Sequence, residues 1–256
     1  MDNENGVISA FVDNLNNLAA KCGAIFKHYP TGGADRKLLG DAVFTNSVNY
    51  SLVEFKDSLS KNKSEKKKNL RVYPVCESLY ENSRMRELHN KCHFFAGDDV
   101  DGAQTFYIYR DAVCNTQVLQ GFFGERLKCL YTKCDPSKEI ELYDYAVDLF
   151  SGGSLYALPA KEFDEYLNML VSVTTKGKKG SEICLIAARR DEKNKCFSIR
   201  FDSVGELHEW FQKEVLRITK NNSPGSGQTD ASGSKPKSNP LKPSKSGGSG
   251  GWDGPS

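Results

Sequence analysis

The chain lacks most of the signatures that tie a sequence to one chemistry. It has no G-x-x-x-x-G-K-[ST] phosphate loop, no G-x-S-x-G elbow and no H-E-x-x-H pair. Those absences argue against P-loop nucleotide hydrolysis, α/β-hydrolase chemistry and zincin-type proteolysis. The four histidines pair with no obvious nucleophile. No apolar run approaches the roughly 20 residues that span a bilayer. The N-terminus is polar and acidic, without the basic-then-apolar order of a secretory signal. No internal repeat is evident. Net charge is also scarce, at +2. Four lysines and two aspartates from Asn221 onward account for all of it, so overall charge argues neither for nor against nucleic acid. Any electrostatic footprint must be local.

Paired cysteines are missing too. Eight cysteines are scattered with no C-x-x-C, which fits reduced thiols, a cytoplasmic location and cysteines used as small core residues. A zinc site from His89, Cys92 and His93 with Cys129 and Cys134 would match no standard ligand spacing. The acidic turn "DDVDG" lacks the alternating ligands and distal Glu of a calcium loop.

Apolar residues make up 38% of the chain, and much of the shortfall lies at 221–256. That stretch is Gly, Ser, Pro, Asn and Lys, with Ala231, Leu241 and Trp252 its only apolar residues. Such a segment buries too little to offset its ordering entropy and is expected to be a disordered tail. It could tether a protein partner, with Trp252 as a short binding element.

The rest reads as α/β. Ile8, Phe11, Val12, Leu15, Leu18, Ala19, Cys22, Ile25 and Phe26 recur every 3–4 residues, one face of a helix. Pro30, Gly32 and Gly33 break it. Strands are predicted at about 41–45 and 50–56 around the turn "NSVN". A loop or helix start follows over 57–70, then a helix over about 74–91. Strands are expected at "CHFFAG", "QTFYIYRDAV", 118–123 and 127–132. A helix opening at Pro159 comes next, then a hairpin of "EICLIAARR" and "KCFSIRF". Last is a helix with Ser203 and Glu206 as a capping box and Trp210 as a core anchor. The segment "CFSIRFDSVGELHEWFQKEV" resembles the closing strand and helix of a pleckstrin-homology-like domain, over about twenty residues. The expected organisation is a core over 1–135, an α+β accessory region over 136–220 and the tail over 221–256.

The stretch "GDAVFTNSVNYSLVEFKDSLSKNKSEKKKN" from Gly40 carries the chemistry. Residues two apart on a strand share a face, so Glu54 and Lys56 project together while Val53 and Phe55 turn toward a core. A hairpin centred near Ser47 brings Asp41 back beside Glu54. Two carboxylates and a backbone carbonyl suit Mg²⁺, which takes few protein oxygens and keeps water and phosphate. Mg²⁺ there supplies Lewis-acid polarisation of a phosphoryl oxygen and an activated water, with Lys56 placed to orient or deprotonate that water. The heads of Glu54 and Lys56 are expected in a polar cleft, with neither acting as a core support. The D/E-x-K tripeptide itself carries no weight, since it also occurs at Asp35, Glu65 and Asp191. Only Glu54 adds an apolar strand, an upstream acid and a helix on each side.

This arrangement resembles the PD-(D/E)xK nuclease superfamily over about residues 7–110. The order of helix, Asp41, "VEFK", helix and strand is the family's. The resemblance implies a restriction-endonuclease-like core, a mixed sheet flanked by helices. It implies Asp41 and Glu54 as Mg²⁺ ligands, Lys56 as the catalytic lysine, and phosphodiester hydrolysis in nucleic acid, with DNA as the expected substrate. The family's first helix often adds an acid, for which Asp13 is the candidate. Asp41 follows Gly rather than Pro. The Gln-x-x-x-Tyr of the exonuclease branch is missing from the second helix, which argues against that branch. Lys61, Lys63, Lys66, Lys67 and Lys68 follow directly and are candidates for phosphate contact; no aromatics interleave them to stack bases. The alternatives are a charged surface hairpin in a non-catalytic interaction module, and a nuclease fold that binds nucleic acid without cutting it.

Overall fold

The computed structural model describes residues 4–31, 40–119, 138–153, 155–175, 185–190 and 196–213, the last with gaps at 202, 204 and 211. The expected tail and the expected 127–132 strand lie outside the described residues, as does the expected domain boundary near 135.

Helix α1 (Glu4–Cys22) forms because Val7, Phe11, Leu15 and Ala19 recur at helical spacing and bury one stripe. Strands β1 (Lys27–Pro30), β2 (Ala42–Thr45) and β3 (Asn49–Phe55) follow. A 3-10 segment (Leu59–Lys68) then leads into α2 (Asn69–Glu81) and α3 (Ser83–Cys92). Next come β4 (His93–Asp98), β5 (Gln104–Ile108), α4 (Tyr109–Val113) and α5 (Thr116–Leu119). The elements β6 (Ile140–Glu141), α6 (Leu142–Ser151), β7 (Leu158–Pro159) and α7 (Ala160–Thr175) complete the body. A hairpin of β8 (Leu185–Arg190) and β9 (Cys196–Phe201) precedes a short helix at 205–210.

The main sheet is mixed. Its order is β1-β2-β3-β4-β5-β6, with β7 also paired to β3. Among the described residues only β3 and β4 run parallel in this sheet; the other pairs are antiparallel. Parallel neighbours need a crossover, and the 3-10 segment with α2 and α3 supplies it. One sheet face packs Val53, Phe55, Phe94 and Phe106 against α1 and α6. The other packs Tyr50, Leu52 and Phe95 against α2, α3 and α7. This is the α/β architecture expected, an open mixed sheet flanked by helices. No helix among the described residues is long and apolar enough to cross a membrane.

Several local expectations are corrected. The helix expected over 74–91 is two helices. Asn82 takes an extended conformation and its side chain accepts from the Met85 amide at 2.9 Å, an N-cap that starts α3. The segment "QTFYIYRDAV" is half strand and half helix, and Val118 lies in α5 rather than a strand. Reduced thiols do not hold at Cys76 and Cys114, which form a disulfide across a Cα–Cα distance of 5.5 Å. The capping residue Ser203 behaves as expected, accepting from the Glu206 amide at 3.1 Å. Trp210 is partly buried and packs on Phe201 with ring centroids 5.4 Å apart.

Candidate active site

Strand β3 places the site. Its alternation sends Val53 and Phe55 into the α1 face, so Glu54 emerges on the opposite face with Leu52. Continuing the β2–β3 register from the Ala42–Val53 pair sets Asp41 across from Glu54. The Asp41 amide donates to the Val53 carbonyl at 2.9 Å. Its carboxylate accepts from the Phe55 amide at 2.8 Å, which ties it to the last residue of β3.

Lys56 follows at the strand end. Its ammonium donates to Glu54 Oε1 at 2.9 Å and to the Phe55 carbonyl at 2.6 Å. It lies 3.4 Å from Glu65 Oε1 and 3.4 Å from Glu4 Oε2. Glu4 comes from the first turn of α1. Three sequence-distant segments therefore reach one ammonium.

Glu54 has no exposed surface and Lys56 is 8% exposed. The expectation that both heads sit in a polar cleft, with neither a core support, is corrected: this is a buried ion cluster. Burial is affordable in structural terms because cations surround the carboxylate. Arg71 Nη2 donates to Glu54 Oε2 at 3.1 Å. The Lys68 ammonium donates to Glu54 Oε1. Arg71 also reaches Glu65 Oε2 at 3.4 Å and the Tyr109 hydroxyl at 3.2 Å, and that hydroxyl donates to Glu65 Oε2 at 3.1 Å. Desolvation alone would raise the Glu54 pKa. Arg71, Lys56 and Lys68 outweigh it and hold the carboxyl well below its usual range. Desolvation would lower Lys56, but Glu54, Glu65 and Asp41 raise it above its ordinary value. Lys56 is therefore a charged ammonium here and not a free base.

Gly97 of β4 fixes the overlying segment. A Cβ at this position would lie 2.7 Å from the Lys56 carbonyl oxygen and 3.2 Å from the Leu59 amide nitrogen. Only a glycine lets the chain after Lys56 pass this close to β4, and that passage carries Glu65 and Lys68 over β3.

Behind the cluster runs a buried hydrogen-bond chain. The Arg110 amide donates to His89 Nε2 at 3.1 Å, which leaves the neutral His89 with its proton on Nδ1. That nitrogen meets the Tyr166 hydroxyl at 2.8 Å, and the hydroxyl meets His93 Nδ1 at 2.6 Å. The assignment consistent with these bonds has His89 donating to Tyr166 and Tyr166 donating to His93, whose buried Nε2 meets no partner among the described residues. The His93 ring stacks on Tyr109 at 4.4 Å. The imidazoles of His89 and His93, imagined above as zinc ligands, are instead committed to Tyr166. Cys92 is a buried free thiol, and Cys129 and Cys134 lie outside the described residues.

The lysine run divides. Lys63, Lys66 and Lys67 are exposed, and Lys61 pairs with Asp57 at 2.6 Å. Lys68 instead turns inward to Glu54 and Glu65. Asp13 is exposed on α1, so the acid this helix brings to the site is Glu4 and not Asp13. A signal for Glu4 was present: stepping back from Phe11 and Val7 along the buried stripe reaches position 4. Glu65 had a weaker signal, as the one acid within the lysine run. Nothing in the sequence singled out Arg71 or Tyr109.

The oxygens here are shared among cationic side chains. Glu54 Oε1 and the Phe55 carbonyl accept from one ammonium, that of Lys56, and Asp41 adds a carboxylate at the same strand end. Among the described residues, no three His, Cys, Asp or Glu side chains converge as a ready metal cage; ammonium groups hold the space between the carboxylates. Comparison with known protein families, characterised proteins and solved structures finds no match for this chain.

Proposed function

We propose that the chain is a metal-dependent nuclease with a restriction-endonuclease-like core, acting on DNA. The observation that carries this reading is the convergence at the end of β3. Asp41 bonds the Phe55 amide, Lys56 bonds Glu54 and the Phe55 carbonyl, and Glu4 of α1 approaches the same ammonium. An acid, an acid-x-lysine and a helix acid brought together from positions 4, 41, 54 and 56 support the resemblance drawn from the sequence.

In this reading Asp41, Glu54 and the Phe55 carbonyl hold Mg²⁺, which supplies Lewis-acid polarisation and an activated water when bound. Lys56, held protonated by its carboxylate neighbours, orients that water and offsets charge building on the phosphoryl oxygens. Arg71 keeps Glu54 ionised and its Oε2 fixed, leaving Oε1 on the ammonium side. The exposed Lys63, Lys66 and Lys67 give phosphate contacts that bind without reading sequence.

The test is Mg²⁺-dependent cleavage of single- and double-stranded DNA and RNA by purified chain. Cleavage of DNA that stops with EDTA is expected. Binding with no cleavage of any substrate would instead support a second reading, a nuclease fold that binds nucleic acid without cutting it. That reading is favoured by one observation: both Glu54 oxygens are already engaged by Arg71, Lys56 and Lys68.

A further inference from the structure

The buried carboxylates beside β3 are met by Lys56, Lys68 and Arg71. A second group of acids, far along the sheet, has no such partners. Asp99, in the turn between β4 and β5, and Glu139 and Glu141, at β6, line a cavity of about 610 Å³. None of the three forms an ion pair among the described residues, and the described lining holds no lysine, arginine or histidine. Lys138, next to Glu139 in the chain, turns instead to Asp111 at 3.2 Å. Asp99 Oδ1 accepts from the amides of Asp101 and Ala103, both at 2.8 Å. Glu139 Oε2 accepts from the Tyr107 hydroxyl at 2.9 Å. These bonds hold two carboxylates in place without neutralising them. Thr105 lines the same cavity. It pairs with Glu141 in the β5–β6 register, so the two side chains stand on one face. Thr105 is 3% exposed, and its hydroxyl meets no hydrogen-bond partner among the described residues. A buried hydroxyl left unpaired costs free energy, so it marks a position for a partner the chain does not supply. Leu18 of α1, with Leu142 and Tyr143 of α6, adds an apolar wall.

We propose that this cavity binds an extended organic cation of the aliphatic polyamine class, amino groups joined by methylene stems. The inference is independent of the nuclease reading. Three points support it. The lining fixes the sign of the ligand's charge, since its carboxylates lack any cation of the chain. A bare metal ion does not fit: the cavity is many times an ion's size, and no three His, Cys, Asp or Glu side chains among the described residues converge to hold one. The ligand must therefore reach carboxylates that stand apart. Glu139 and Glu141 lie about 7 Å from each other along an extended chain, close to the separation of successive amino groups in spermidine. The stem then packs on Leu18 and Leu142, an ammonium faces the Tyr143 ring, and one N–H meets the Thr105 hydroxyl.

The experiment is calorimetric titration of spermidine into the full chain at low ionic strength without nucleic acid, with melting curves confirming that each variant is folded. Saturable binding is expected. Glu139→Gln and Glu141→Gln should each weaken it about tenfold or more, and Thr105→Val, which keeps the shape and removes the hydroxyl, about threefold or more. The exposed Glu81→Gln should match wild type. No saturable binding by wild type would overturn the proposal. So would weakening in the glutamate variants with none in Thr105→Val, which would be diffuse surface charge. A lysine side chain on a peptide presents the same ammonium on an apolar stem, so a blocked tripeptide with one central lysine is titrated in parallel; tighter binding of the peptide than of spermidine would overturn the polyamine assignment. Should Glu139→Gln not fold for want of its Tyr107 bond, Glu141→Gln and Thr105→Val decide: wild-type affinity in either overturns the proposal.

Discussion

Glu54 stays ionised without any exposed surface because Arg71, Lys56 and Lys68 meet it. Removing one member of such a cluster leaves charge buried and uncompensated, which costs about 3–5 kcal/mol. Glu54→Ala should therefore lower stability by about that much in urea denaturation, chiefly through the stranded Arg71. A loss below about 1 kcal/mol would show that water reaches the cluster. Lys66→Ala and Lys67→Ala, at exposed positions, should change stability by no more than about 0.5 kcal/mol. They should weaken DNA binding and flatten its salt dependence instead.

Buried imidazoles and carboxylates make stability fall toward acid. Burial, aided by the charge of Arg110, lowers the His89 pKa far below the ordinary 6.5. Burial, then His89 and Arg71, does the same to His93. The unfolded chain therefore binds more protons than the folded one below about pH 6.5, and stability is lost as pH falls through that range. Glu54 adds a second loss with the same sign. Its folded pKa is depressed, so its contribution is complete above the ordinary 4.5 and declines below it. The melting temperature should fall between pH 7.5 and 5.5 and more steeply below 4.5. A flat profile down to pH 5.5 would mean that the imidazoles are not held neutral.

At the scale of elements, β3 is the part most legible in the sequence. The alternation of "NYSLVEF" gave its two faces, and the turn at "NSVN" gave a register that sets Asp41 across from Glu54. Periodicity likewise exposed α1 and α7. What the sequence left open between loop and helix start was the 3-10 segment over Leu59–Lys68. Its sequence is nearly all polar and has no apolar stripe to betray a packed element, because what it buries is Glu65, through ion pairs. Periodicity reads apolar burial and is blind to charge burial. The split at Asn82 was missed for a related reason, since its cap is one side-chain hydrogen bond within a continuous apolar pattern. The segment's position depends on Gly97, where an added Cβ would meet backbone. Gly97→Ala should cost about 1–3 kcal/mol and should impair cleavage by displacing Glu65 and Lys68. Unchanged stability and activity would show that the segment is not seated by this approach.

At the scale of the whole molecule, the sheet gathers segments from across the chain, with β6 and β7 pairing onto β5 and β3. Composition predicts a tail over 221–256, outside the described residues, and deleting it should leave the melting temperature unchanged because it has almost nothing apolar to bury. The Cys76–Cys114 disulfide closes a loop with a sequence separation of 38, worth about 4 kcal/mol on chain-entropy grounds. It ties α2, which carries Arg71, to the chain just past α4, which carries Tyr109. Cys76→Ser should lower the melting temperature under oxidising conditions and leave it unchanged under reductant; equal melting in both would show the bond is not formed.

The central claim is that Glu54 and Lys56 form a hydrolytic site rather than a buried structural ion cluster. The most direct measurement is the single-turnover rate of Mg²⁺-dependent DNA cleavage by wild type and by folded Lys56→Ala, with DNA saturating. The account predicts cleavage by wild type and a rate lower by about 10²–10³-fold in the variant, the cost of losing one preorganised electrostatic group, with DNA affinity little changed. Cleavage by folded Lys56→Ala at the wild-type rate, from preparations free of contaminating nuclease, would contradict it.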